Sequence, residues 1–224
     1  MNAMKRNPIS NQTKREEIAN ALTHCIGILL GIAALSILVV FASFKGDPWK
    51  IVSFSLYGTS LVILYTASTL YHSIKNIRLK QLFQILDHSS IFILIAGTYT
   101  PFVLVNMRGA WGWSLFGVIL GLAVIGIFIK AAMGTGGDKL STAVYLAMGW
   151  IIVIAFHKMI SSIPFMGIVW LLIGGVCYSA GTIFFLLEKR IPYSHPLWHL
   201  FVLAGSITHF FGILFHVLPH FFNY

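Results

Sequence analysis

Charge is scarce in this chain, and acidic charge is scarcest: six Asp and Glu stand against fifteen Lys and Arg, and charged residues are 9% of the 224. A soluble domain carries about a quarter charged residues, so too few are present to clothe a globular surface in water. With 58% hydrophobic residues and a mean hydropathy of +0.86, most of the solvent must be hydrocarbon. Cysteine is nearly absent too. Cys25 and Cys177 lie in apolar runs without C-x-x-C spacing, which excludes a disulfide scaffold and reads as two small buried hydrophobes. No repeat with a period of about 20 to 50 residues is visible, so a solenoid is excluded. The run Gly134-Thr135-Gly136-Gly137-Asp138 lacks the spacing and the Lys-Ser/Thr ending of a phosphate loop, and it reads as a flexible turn.

Long apolar runs are what the chain has in abundance. Seven can cross a hydrocarbon core of ~30 Å, at residues 20–41, 51–73, 86–105, 111–129, 142–156, 165–187 and 196–218. The fifth is the shortest. None alternates polar with apolar residues as a barrel strand would, so the predicted fold is all-α: an integral membrane bundle of seven transmembrane helices. The expected organisation is a basic segment at 1–19 followed by one membrane domain at 20–224. Basic residues ahead of the first run resemble the start of a signal peptide. That run is a full bilayer span without a following small-x-small site, so a retained helix is expected.

Lys and Arg set the expected orientation. Eleven fall on one side: Lys5, Arg6, Lys14, Arg15, Lys75, Arg78, Lys80, Lys130, Lys139, Lys189 and Arg190. Four fall on the other: Lys45, Lys50, Arg108 and Lys158. The amino terminus is predicted to be cytoplasmic and the carboxyl terminus to face outward. The same bias accounts for the net charge of +9 without nucleic acid, and it makes anionic lipid headgroups the expected partner at the cytoplasmic face.

On this topology the unusual polar residues fall at one depth. Glu17, Asn20, Thr23 and His24 open the first span, Ser68 and His72 close the second, Asp87 and His88 open the third, and His195 and His199 open the seventh. Ser68 and His72 are four apart and share a helix face, as do His195 and His199, with Pro196 suited to a first helical turn. Three imidazoles around one ion leave a fourth tetrahedral position open, the pattern of a catalytic rather than a closed zinc site. Beside such an ion, Asp87 is placed to orient or deprotonate water, and Ser68 to hydrogen-bond that water or a substrate oxygen. Asp87 can also be read as the N-cap of the third helix. Glu17, Asn20 and His24 are expected to lock the first helix against its neighbours, and Glu16 to be solvated. His88 points about 100° away from Asp87 on a helix. With His157, His209, His216 and His220, it is expected to pack or to lie at an interface rather than to bind metal.

Four motifs together resemble the hemolysin III branch of the progestin and adipoQ receptor superfamily, which is similar to adiponectin receptors and distantly to alkaline ceramidases. They are Glu17-x-x-Asn20-x-x-Thr23-His24, Ser68-x-x-x-His72, Asp87 within Gln84-Ile85-Leu86-Asp87-His88, and His195-x-x-x-His199. Leu94-Ile95-Ala96-Gly97-Thr98-Tyr99-Thr100-Pro101 resembles that family's third span. The resemblance implies seven helices, a cytoplasmic amino terminus, a zinc ion (Zn2+) on His72, His195 and His199, and hydrolysis of lipid amides or esters. The expected function is a zinc-dependent, ceramidase-like lipid hydrolase working near the cytoplasmic leaflet, with membrane lipid as substrate and no obligate protein partner. The alternative is a membrane-active, hemolysin-like protein, or one of membrane homeostasis, in which zinc is a structural clasp.

Overall fold

The computed structural model describes residues 7, 9–44 and 46–219. Among them every regular element is helical: α1 (Lys14–Phe44), α2 (Pro48–Ser73), α3 (Ile77–Pro101), α4 (Ala110–Met133), α5 (Asp138–Trp150), α6 (Phe156–Ser162), α7 (Phe165–Leu186) and α8 (Ser194–His216). A π turn, Phe102–Asn106, prolongs α3, and a 3₁₀ turn, Ile151–Ala155, joins α5 to α6. With α5 and α6 counted as one, seven helical segments are long and apolar enough to span a bilayer. The protein is a multi-pass membrane bundle.

Short caps make the turns. Asp47 accepts from the N–H groups of Trp49 (3.0 Å) and Lys50 (3.3 Å) and precedes Pro48, whose missing N–H costs nothing at a first helical position. Asn76 caps α3 through the N–H groups of Arg78 and Leu79. Thr13 and Glu16 cap α1 reciprocally, a Thr-x-x-Glu box. Large apolar side chains such as Phe128, Ile154 and Phe165 are more than 70% exposed, which is costly in water and ordinary in lipid.

α3 is the central post, with 72% of its apolar window buried against 22–28% for α1, α4, α5–α6 and α7. Around it α1 packs on α2 and α8, α2 on α3, α3 on α4, and α7 on α8. Close approach needs small residues. A Cβ on Gly58 would sit 2.7 Å from the Leu35 Cα, and one on Gly205 2.6 Å from the Tyr178 ring. In mid-bundle Tyr65 Oη donates to Ser206 Oγ (2.7 Å) and Tyr57 Oη to the Ser206 carbonyl (3.1 Å), tying α2 to α8.

Four expectations need correction. α3 begins at Ile77, nine residues before the predicted span, because the charged turn Arg78–Lys80 is helical and Lys80 is buried beside Glu17 (3.0 Å). The fifth segment runs from 138 to 162 and is broken at 151–155, where the Tyr99 hydroxyl enters the backbone. It donates to the Gly149 carbonyl (2.8 Å), with the Met148 carbonyl at 3.0 Å, and accepts from the Ile152 N–H (3.1 Å). Cys25 is exposed on the lipid-facing side of α1 and Cys177 is half-buried, so neither is a core residue. The glycine turn is held, not loose: the fully buried Lys130 donates to the Gly136 carbonyl (2.8 Å) and pairs with Asp138 (3.2 Å). Lys5, Arg6, Lys45 and His220 lie outside the described residues.

Candidate metal centre

His72 stands in the last turn of α2, and His195 and His199 occupy the first two turns of α8. Two contacts hold the start of α8 in place. Ser194 Oγ donates to the Phe184 carbonyl of α7, and the Tyr193 N–H donates to Glu16 Oε1 (2.8 Å). Tyr193 has φ +58°, a left-handed conformation that costs a non-glycine residue about 1–2 kcal/mol. Glu16, expected in solvent, is thus buried as the anchor of that turn, because the turn brings an unpaired N–H to it.

The three imidazoles converge. Their ring centroids are 5.1 Å (His72–His195), 5.1 Å (His72–His199) and 4.7 Å (His195–His199) apart. One nitrogen from each lies within 4.8 Å of the other two, an arrangement that could hold a metal ion. Nitrogens on a tetrahedral ion at about 2.0–2.1 Å are about 3.3 Å apart, so each ring has to move inward by less than about 1 Å.

Each ring is aimed by its other nitrogen. His72 Nδ1 meets Glu17 Oε2 at 2.8 Å, and His195 Nδ1 meets Glu188 Oε2 at 2.6 Å. A carboxylate only accepts, so both Nδ1 atoms carry the proton and both Nε2 atoms are left with a lone pair. His199 Nδ1 lies 3.3 Å from the Asn20 carbonyl and 3.2 Å from Thr23 Oγ1, which fixes the same tautomer. The Nε2 atoms of His72 and His195 are buried without a partner. An unsatisfied buried acceptor costs about 1–3 kcal/mol; a ligated one does not.

These orphans have company. Asn20 Oδ1, both nitrogens of His24, Thr69 Oγ1 and Gln84 Oε1 are buried and unpaired at the same end of the bundle. His24 lies flat on His199, with centroids 3.5 Å apart and planes at 6°, so it packs on a candidate ligand. Asn20 Nδ2 donates to Gln12 Oε1 just ahead of α1 (2.6 Å), and Glu17 bridges His72 of α2 and Lys80 of α3.

Asp87 sits ten residues beyond the start of α3, so it is not the N-cap, a role taken by Asn76. It is buried, the fully buried Ser68 hydroxyl lies beside it, and His195 is among its electrostatic neighbours. His88 belongs to another group, 3.5 Å from Asp138. His209 is buried in mid-bundle, donates Nδ1–H to the Gly205 carbonyl (2.8 Å) and stacks on Tyr178.

Of two spaces in the structure, the second has a candidate ligand, His72, in its wall and the first has none. A cavity of about 130 Å³ between α3, α5, α7 and α8 is lined by apolar side chains, with Trp198 and Val202 toward the cluster and Tyr178 and His209 deeper. A cleft of about 650 Å³ at the α1 amino-terminal end is lined by Gln12, Lys14, Glu17, His72, Lys75 and Lys80.

Sequence reasoning missed Glu188, the only acid in the basic loop before α8, seven residues ahead of the histidine it orients. An acid isolated among Lys and Arg beside a histidine pair was the available signal. Ser10 and Gln12 were missed as well, since nothing in a polar lead-in marks it as buried.

The haemolysin-III-related family model matches residues 12–210. The chain is 49% identical over 208 residues to Hemolysin-3 of Bacillus cereus, covering 93% of this chain and 94% of that protein. It is 47% identical over 204 residues to the Hemolysin-3 homolog of Bacillus subtilis (strain 168), covering 91% and 95%. A more distant similarity, 26% over 203 residues, links it to the monocyte to macrophage differentiation factor of Homo sapiens, covering 88% and 83%.

Proposed function

The chain belongs to the haemolysin-III-related family, and from that premise we propose that it is a zinc-dependent hydrolase of lipid amide or ester bonds, with its amino terminus and metal centre toward the cytoplasm. One observation carries the reading: buried imidazole Nε2 atoms without partners face one another while their Nδ1 atoms are fixed by carboxylates. Metal-binding histidines are usually held this way, with the second nitrogen anchored to a carboxylate or a carbonyl. The charge balance agrees. Glu17, Asp87 and Glu188 lie around the cluster against two cations, Lys80 paired with Glu17 and Lys130 acting on Asp87, so three acids face two lysines where a divalent ion would sit.

When bound, zinc supplies Lewis acidity toward a carbonyl oxygen and lowers the pKa of water to about 7. The chain's own residues do the rest. Asp87 takes the proton of the attacking water and returns it to the leaving nitrogen or oxygen. Ser68, its hydroxyl beside Asp87, holds the water or the carbonyl in line. The apolar cavity beyond Trp198 receives hydrocarbon and keeps bulk water from the reacting bond. A membrane lipid reaches it from the side, while exposed Lys14, Arg15, Lys75, Arg78, Lys189 and Arg190 meet anionic headgroups.

The competing reading makes the ion a clasp between α2 and α8. Those helices are already tied through Tyr57, Tyr65 and Ser206, which favours a bundle that stays folded without metal. Purified protein is expected to hold one zinc per chain. Chelation is expected to leave helicity and cooperative unfolding in place while hydrolysis of a short-chain lipid amide or ester stops. Asp87→Asn should keep the zinc and lose turnover by a factor of about 10²–10⁴. Full turnover in that variant removes the hydrolase reading, and unfolding on chelation hands the site to the clasp.

A further inference from the structure

The segment ahead of α1 lies folded over the centre. The Asn7 N–H donates to the Gln12 carbonyl (2.7 Å) and the Asn11 N–H to the Asn7 carbonyl (2.9 Å), while Asn7 Oδ1 accepts from the Ile9 N–H (2.9 Å). Asn11, at φ +56°, turns the chain back on itself. Ser10 and Gln12 are 7% and 5% exposed, so this polar segment buries side chains that gain little from apolar contact. Burial of such groups is tolerated only when each finds a partner.

Their partners are the residues that aim the ligands. Ser10 Oγ donates to Glu17 Oε1 (2.5 Å), and the other oxygen of Glu17 receives His72 Nδ1. Gln12 Oε1 accepts from Asn20 Nδ2 (2.6 Å), and the Asn20 carbonyl receives His199 Nδ1. Two of the three candidate ligands are therefore one residue removed from this segment. Asn7, Gln12 and Lys14 also form one wall of the 650 Å³ cleft, and His72 lies on another.

We infer that Asn7 and residues 9–13 form a positioning plug for the metal centre: Ser10 and Gln12 hold Glu17 and Asn20 against His72 and His199, and lifting them opens the route by which the ion exchanges with solvent. This rests on the metal reading above. The plug is held by a few hydrogen bonds and little apolar area, the profile of a segment that opens locally without unfolding the bundle.

The test is transfer of zinc from the full-length protein in detergent or nanodiscs to a chromophoric chelator, followed by stopped flow, together with equilibrium competition. Ser10→Ala and Gln12→Ala are each expected to release zinc about tenfold faster and to bind it about tenfold more weakly, as for other residues that orient ligands. Ser10→Thr, which keeps the hydroxyl, should match the parent. Thr135→Ala, an exposed side chain in the loop after α4 that lines no part of the cleft, should do the same. Apo thermal unfolding, read in parallel, is expected to be equal for all. Parent-like release from both Ser10→Ala and Gln12→Ala overturns the plug, as does an equal acceleration in Thr135→Ala. A parent protein that takes up no zinc overturns the metal reading itself, a separate result.

Discussion

The two ends of the bundle use polar residues in opposite ways. At the end away from the histidines, polar groups close helices: Asp47 caps α2, Lys50 Nζ donates to the Leu218 carbonyl (3.4 Å), Asn106 Nδ2 to the His216 carbonyl (3.3 Å), and Arg108 lies over the Trp49 ring at 5.0 Å. At the other end polar groups exceed what the helices need. Glu17, Ser68, His72, Asp87, His195 and His199 are buried well inside their helices or turned toward one another, and most of the unpaired buried atoms gather there. Polar atoms that finish a backbone report on stability. Polar atoms left over after the backbone is finished are free to meet a ligand.

The comparison breaks most easily at a ligand. Dividing the roughly 10–16 kcal/mol of a four-ligand zinc site evenly gives about 3 kcal/mol per ligand, so His199→Ala should weaken zinc binding on the order of 100-fold in a chelator titration. An unchanged affinity would mean that the surplus polar groups serve something else. Next comes Glu188→Gln, which keeps a hydrogen-bond acceptor for His195 and removes the charge. Its expected cost is about tenfold in affinity, with thermal unfolding of the apo protein unmoved. The smallest effect belongs to the other end. Asp47→Ala should lower stability by about 1 kcal/mol in denaturant unfolding and leave zinc affinity alone. If it changed zinc affinity instead, the division between the ends would fail.

The seven spans and the three histidines were legible because each rests on a local rule. Apolar length marks a span, and spacing of four puts His195 beside His199. The true start of α3 was not legible, since Lys80 counts as solvent-seeking until Glu17, 63 residues earlier, is known to meet it. Glu188 and Glu16 were hidden for a related reason: their roles depend on the turn at 187–193, whose left-handed Tyr193 no residue pattern announces. Asp87 was read at a helix head because hydropathy stops counting at charge, although the helix continues for ten residues behind it. Cys25 shows the converse failure. An apolar run in a membrane protein has an outer face as well as an inner one.

The Tyr99 hydroxyl, bonded to three backbone groups of the broken fifth segment, has a mechanical consequence. Hydrocarbon offers no substitute partner for those groups, so the fracture cannot straighten or slide without stranding them. α3 and the end of α5 therefore travel as one lever. Any widening of the apolar chamber is left to the opposite wall, where glycines of α7 and α8 pack against side chains of the other helix.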